Sequence, residues 1–261
     1  SLIGYRNIRG LALTYVGAQL AIAAYSTRLV RRYDSDEVPR WPQFQRRLLA
    51  YGLPSSLITA PYLLNARLDQ VLMITLVDRS DLGIYTAAVS FSLLAGFPFQ
   101  ALAKVTMPRI AGHAESWRQT ALQVIGTSLA LVVVTLLIGI PVTGWLFPAL
   151  MGEGFADGVV AARLLIIAAT IRGTADVLQE TLRGLGTPTR AAIIEALGLV
   201  VGITTLLLLV GRHGIVGAAI ASILGYGTAL IGHGLLVGRA FLESRPNPSD
   251  VEGNNPGPAS Q

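Results

Sequence analysis

Several ionisable side chains lie inside long apolar stretches, where charge is costly. Arg172, Asp176 and Glu180 follow one another at i, i+4 and i+8, with Gln179 and Arg183 alongside. On a helix that spacing puts them on one face. The sequence therefore predicts a polar stripe lining a wet cavity. Upstream stand Asn65, Arg67, Asp69 and Gln70. Asn65 and Asp69 are four apart and share a face, while Arg67 and Gln70 share an adjacent one. Arg67 and Asp69 diverge by about 200° around a helix, so they cannot pair with each other. Each needs a partner on another helix, a ligand or water. Arg163, Lys104 and Glu195 are further charges nearer the ends of apolar runs, within reach of an interface by snorkelling.

The elements that must position these groups are membrane spans. The chain is 52% hydrophobic and 13% charged, where a soluble domain carries nearer a quarter charged residues. A hydrocarbon slab roughly 30 Å thick needs about 20 helical residues to cross it. Unsatisfied backbone is not tolerated there, so each span must be a helix. About seven apolar runs of that length occur, near 10–30, 48–77, 83–108, 119–143, 158–184, 189–210 and 214–241. The expected fold is an all-α, polytopic transmembrane bundle. The run 48–77 would reach about 45 Å, so it must tilt or bend, with Pro54 and Pro61 as the bending points. An ionisable group in a span costs at least about 2.5–3.5 kcal/mol, so it faces protein or water. Counted from Leu53, Arg67 would lie about 21 Å into the bilayer. Gly198 and Gly202, then Gly217, Ala221 and Gly225, then Gly234 and Gly238 repeat every fourth residue. They read as helix-packing positions.

Charge gives the orientation. On alternate loops one side gathers Arg28, Arg31, Arg32, Arg40, Arg46, Arg47, Lys104, Arg109, Arg118, Arg183, Arg190, Arg239 and Arg245. The other side has only Arg6, Arg9, Arg79 and Arg212. The positive-inside rule then places the 31–47 loop and the C-terminus in the cytoplasm, in the cell membrane. The net charge of +5 belongs to anionic lipid head groups rather than to nucleic acid. The expected organisation is one span and a basic linker over 1–47, a six-helix lobe over 48–242, and a disordered tail over 243–261. Residue 1 is Ser, and the chain is expected to be the C-terminal piece of a longer protein.

Other chemistries find little support. There is no cysteine, and His113, His213 and His233 stand in loops or near a span end without metal-ligand spacing. No metal or cofactor is expected, and the histidines read as solvated or capping groups. Asp34-Ser35-Asp36 matches the D-x-D of metal-dependent glycosyltransferases, but its loop is far too short for a nucleotide-binding domain. No phosphate loop occurs. No outward loop is large enough for a polysaccharide polymerase, and no convergent catalytic set suggests an enzyme.

Four stretches point to a family. They are Tyr51-Gly52-Leu53-Pro54, Leu64-Asn65-Ala66-Arg67-Leu68-Asp69-Gln70, Leu82-Gly83-Ile84-Tyr85-Thr86-Ala87-Ala88 and Met107-Pro108-Arg109-Ile110. Together they resemble the seventh and eighth spans of bacterial polysaccharide flippases, the O-antigen, capsule and exopolysaccharide exporters of the MOP superfamily. Leu182-Arg183-Gly184-Leu185-Gly186-Thr187-Pro188 and Gly214-Ile215-Val216-Gly217-Ala218-Ala219-Ile220-Ala221-Ser222 are similar to that family's tenth-to-eleventh loop and last span. The family has twelve to fourteen spans in two six-helix halves. This chain would supply the last span of the first lobe and the whole second lobe, and it would need the missing N-terminal lobe.

The resemblance implies a flippase for a polyprenyl-diphosphate-linked oligosaccharide, working beside a polymerase and glycosyltransferases. A diphosphate suits the planar fork of arginine. Arg67 is the first choice for a cargo contact, with Arg172, Arg163, Asn65 and Gln70 behind it. Asp69, Asp176, Glu180 and Glu195 are candidates for coupling to a proton or cation gradient, because a desolvated carboxylate can exchange protons. Alternating access would come from rocking of two lobes. A multidrug or toxin exporter of the same superfamily and a non-transporting scaffold of a polysaccharide-assembly complex are the alternatives.

Overall fold

The computed structural model describes residues 16–18, 20–28, 68–112 and 116–243. The chain divides into two compact units, residues 1–54 and 55–261. In the first, 16–18 and 20–28 are helical. Pro54, Pro61, the tail beyond 243, and the sequence candidates Asn65 and Arg67 lie outside the described residues.

The second unit is built from helices: α1 (Leu68–Leu76), α2 (Arg79–Gly112), α3 (Trp117–Met151), α4 (Val159–Gly184) and α5 (Pro188–Glu243). A 3-10 turn, Glu153–Gly158, leads into α4. Four of these segments are long and apolar enough to cross a membrane, and among the described residues no strand occurs. The fold is a membrane-spanning helix bundle. The apolar periodicity located its long helices but underestimated α2, expected over 83–108, and α3, expected over 119–143. The expected span 119–143 continues through Pro141 to Met151, so most of the outward break before residue 158 is helix and 3-10 turn. At about 1.5 Å per residue, α3 reaches about 52 Å and must tilt or project beyond the slab.

α5 contains 56 residues, about 84 Å if straight, nearly three times the hydrocarbon thickness. It reverses at Gly214, whose φ of 52° and ψ of −135° are non-helical. Positive φ of that kind is readily adopted only without a Cβ. The two arms then lie antiparallel, matching the expected spans 189–210 and 214–241. The small residues make their contact: a Cβ on Gly198 would stand 2.8 Å from the carbonyl oxygen of Gly225. Gly238 meets nothing, so the repeat is used over part of its length.

α4 is the central helix. In its apolar window 39% of residues are buried, against 11% in that of α3. α2 approaches it closely because Gly173 leaves room for Phe99 and Gly184 for Ile110. Phe91 and Phe147 pack edge-on with ring centroids 5.4 Å apart, and with Tyr85, Leu165 and Leu206 they form the main core. α3 leaves Leu129, Val133, Leu137 and Trp145 exposed, as a helix facing hydrocarbon would. The ends alternate in position: Arg118 at the start of α3 donates to the Phe241 carbonyl at the end of α5, at 2.9 Å.

Candidate functional site

The site forms where α4, both arms of α5, α2 and the start of α1 converge. The Arg172 guanidinium, on α4, donates from Nε to Asp176 Oδ1 at 3.0 Å and from Nη1 to Glu195 Oε1 at 2.9 Å. The first bond uses the i+4 spacing on α4, and the second reaches the first arm of α5. Tyr226, from the second arm, presents its ring 5.1 Å from the Arg172 Cζ, a cation–π distance. Glu195 is 1% exposed and Asp176 is 8% exposed. A buried carboxylate persists only when paired and hydrogen-bonded, and Arg172 supplies both partners at once.

Asp69 begins α1. Its Oδ1 accepts the Gln70 backbone N–H and its Oδ2 accepts the Tyr85 hydroxyl from α2, both at 2.7 Å. A cavity of about 140 Å³ joins this group to the ion cluster, lined by Asp69, Ser92, Gln100, Arg172, Asp176, Ser222 and Tyr226 among others. Its walls mix these polar groups with apolar ones such as Val89, Leu93 and Leu165, and it has room for several waters. A smaller cavity of about 30 Å³ opens beside Asp69, Ser222 and Tyr226 where the glycines of α5 leave space.

The expected stripe on α4 divides. Arg172 and Asp176 face the cavity, whereas Glu180 accepts from Arg183 Nη1 at 2.8 Å, with the Arg183 side chain 43% exposed. A surface pair of that kind contributes little, and Glu180 leaves the site. Arg163 is also elsewhere: its guanidinium lies against Gly144 of α3, and it does not line the cavity. Lys104 is exposed, as snorkelling requires. Gln70 is half-buried at the start of α1, held through its backbone by Asp69.

His233 corrects the sequence reading. It is fully buried, with Nε2 3.2 Å from the Ala191 carbonyl, and ties the two arms of α5 together instead of being solvated. The groups the sequence reading passed over are Tyr85, Gln100, Ser222 and Tyr226. Gln100 offered a signal, a lone amide in the middle of an apolar helix. Tyr85 and Ser222 stood inside quoted motifs, but nothing local marks a tyrosine as facing a carboxylate.

Two solved structures share this architecture. One is an outward-facing multidrug resistance MATE family transporter of the MOP superfamily, with a TM-score of 0.58 and 21% identity over 77% of this chain and 48% of that one. The likeness is one of fold. The other is a MOP superfamily transporter from Pyrococcus furiosus, described by a reverse polarity of its binding pocket. It has a TM-score of 0.58 and 21% identity, over 76% of this chain and 47% of that one. The chain thus spans about half the length of each transporter it matches. No family model and no curated protein matches.

Proposed function

We propose that this chain is one lobe of a proton-coupled transporter with MOP-type architecture. Its cargo, on this reading, is a polyprenyl-diphosphate-linked oligosaccharide moved outward across the cytoplasmic membrane. The observation that supports coupling is the cavity joining Asp69 to Arg172, Asp176 and, behind them, Glu195. Among the described residues this gathers one guanidinium and three carboxylates around one space, and ionisable groups are costly in hydrocarbon surroundings. Loading and releasing a proton there changes the charge of the lobe and so biases its resting position. A proton is the ion we assign, because a desolvated carboxylate can exchange one.

The cargo reading rests on the resemblance of the quoted motifs to polysaccharide flippases. Its cationic contact falls to Arg67, with Asn65 beside it, because Arg172 is already held by two carboxylates. An N-terminal lobe would close the cavity, and a polymerase and glycosyltransferases would be its partners. The basic helix ends and the C-terminus would lie in the cytoplasm. The two aspartates that line the cavity, Asp69 and Asp176, favour a second reading, export of a cationic drug. The polar groups bond to one another and form no nucleophile–base set, so a transporter suits them better than an enzyme.

The test is leaflet sidedness of polyprenyl-linked sugars in vesicles holding the full-length protein. Arg67→Glu is expected to leave the glycan inside, and Asp69→Asn to abolish the response to a pH gradient, with both variants folded. Unchanged glycan sidedness, together with pH-driven efflux of a cationic dye, would transfer the assignment to the drug exporter. Unchanged sidedness with no efflux would leave the scaffold.

A further inference from the structure

We propose that the bundle end shared by the start of α3 and both ends of α5 holds a site for the phosphate of an anionic phospholipid. A cavity of about 210 Å³ opens there, lined by Trp117, Thr187, Arg190, Leu236, Arg239 and Glu243 among others. It is separate from the cavity around Arg172 and shares no lining residue with it.

Three features give this cavity its chemistry. Arg190 and Arg239 come from opposite ends of α5 and meet only because the helix reverses at Gly214. Among the described residues neither has a carboxylate at ion-pair distance. Two guanidinium forks without acidic partners suit a phosphodiester, which accepts from both. The first turn of α5 also borders the cavity; Pro188 has no N–H and Ala191 bonds the Thr187 carbonyl, which leaves the Thr189 and Arg190 N–H groups to favour an anion. Finally, the walls are mixed. Leu182, Leu185 and Leu236 line the same space, and Leu235 and Leu242 are 65% and 62% exposed on the adjoining turns. Trp117, packed on Phe241 at 4.8 Å between ring centroids, is the amphipathic aromatic expected at a membrane interface.

The apolar walls distinguish the occupant. A free phosphate would use the two arginines and leave the leucines wet, whereas a phospholipid fills both with one molecule. Glu243 opposes the anion but leaves the cavity net positive.

Native mass spectrometry of the full chain released from nanodiscs tests the proposal, comparing phosphatidylglycerol with phosphatidylcholine. The wild type should retain phosphatidylglycerol selectively. At the strength expected for a basic residue beside an anionic membrane, Arg190→Gln or Arg239→Gln alone should weaken retention about fivefold, and the double variant about thirtyfold. The single variants keep the test alive should the double one fail to fold. Lys104→Gln, removing an exposed cation elsewhere, should change nothing. Equal retention by wild type and variants would overturn the site. Displacement of phosphatidylglycerol by millimolar inorganic phosphate would show a soluble-anion site and overturn the lipid assignment.

Discussion

Removing Arg172 should cost far more than removing either of its partners. The guanidinium serves two carboxylates, Asp176 at 3.0 Å and Glu195 at 2.9 Å. Arg172→Met leaves both buried acids without their cation, and breaking a buried pair in that way costs about 3–5 kcal/mol. Glu195→Gln leaves Arg172 balanced one-to-one by Asp176 and still able to bond the amide. Its loss is that of one charge-assisted bond, about 1.5–3 kcal/mol at most. The triple variant Arg172→Met, Asp176→Asn, Glu195→Gln removes charge altogether and should recover most of the stability lost by Arg172→Met. The assay is unfolding free energy of the full-length protein in mixed micelles, followed by circular dichroism. If Arg172→Met proves no more destabilising than Glu195→Gln, or if the triple variant is worst, the cluster is not held by charge balance and the coupling reading loses its basis.

Other outcomes follow from the packing. Gly198→Leu should destabilise by about 1–3 kcal/mol, because a side chain there overlaps the Gly225 carbonyl. Gly238→Leu, which meets nothing, should stay within about 0.5 kcal/mol in the same micelle assay. Tyr85→Phe deletes the bond to Asp69 and should cost about 1–3 kcal/mol, with a measurable change in pH-driven uptake in vesicles. Glu180→Gln should leave uptake unchanged, since its partner Arg183 faces solvent.

Among the described residues the positions of the long helices were legible because the hydrocarbon slab imposes a simple length requirement on the sequence. Most ends were less so: α3 stays helical through Pro141 and Pro148 to Met151, well past its expected end at 143. The i, i+4 pairing of Arg172 with Asp176 could be read directly, being local. Its bond to Glu195 could not, since it depends on how α5 lies against α4, and on a reversal made by one glycine. The same limit hid His233, whose acceptor is on the other arm of α5. Arg163 looked like a site residue because depth along the chain was visible and direction around the helix was not.

The shallow engagement of α3 has a further consequence. With 11% of its apolar window buried among the described residues, this helix presents more of its apolar surface outward than α4 does. Bilayer thickness and acyl-chain order therefore act on α3 before they reach α4. Solubilisation in a short-chain detergent should let α3 drift first, with its amide protons exchanging ahead of the rest. The protein carries on its flank a helix tuned as much by lipid composition as by its own sequence.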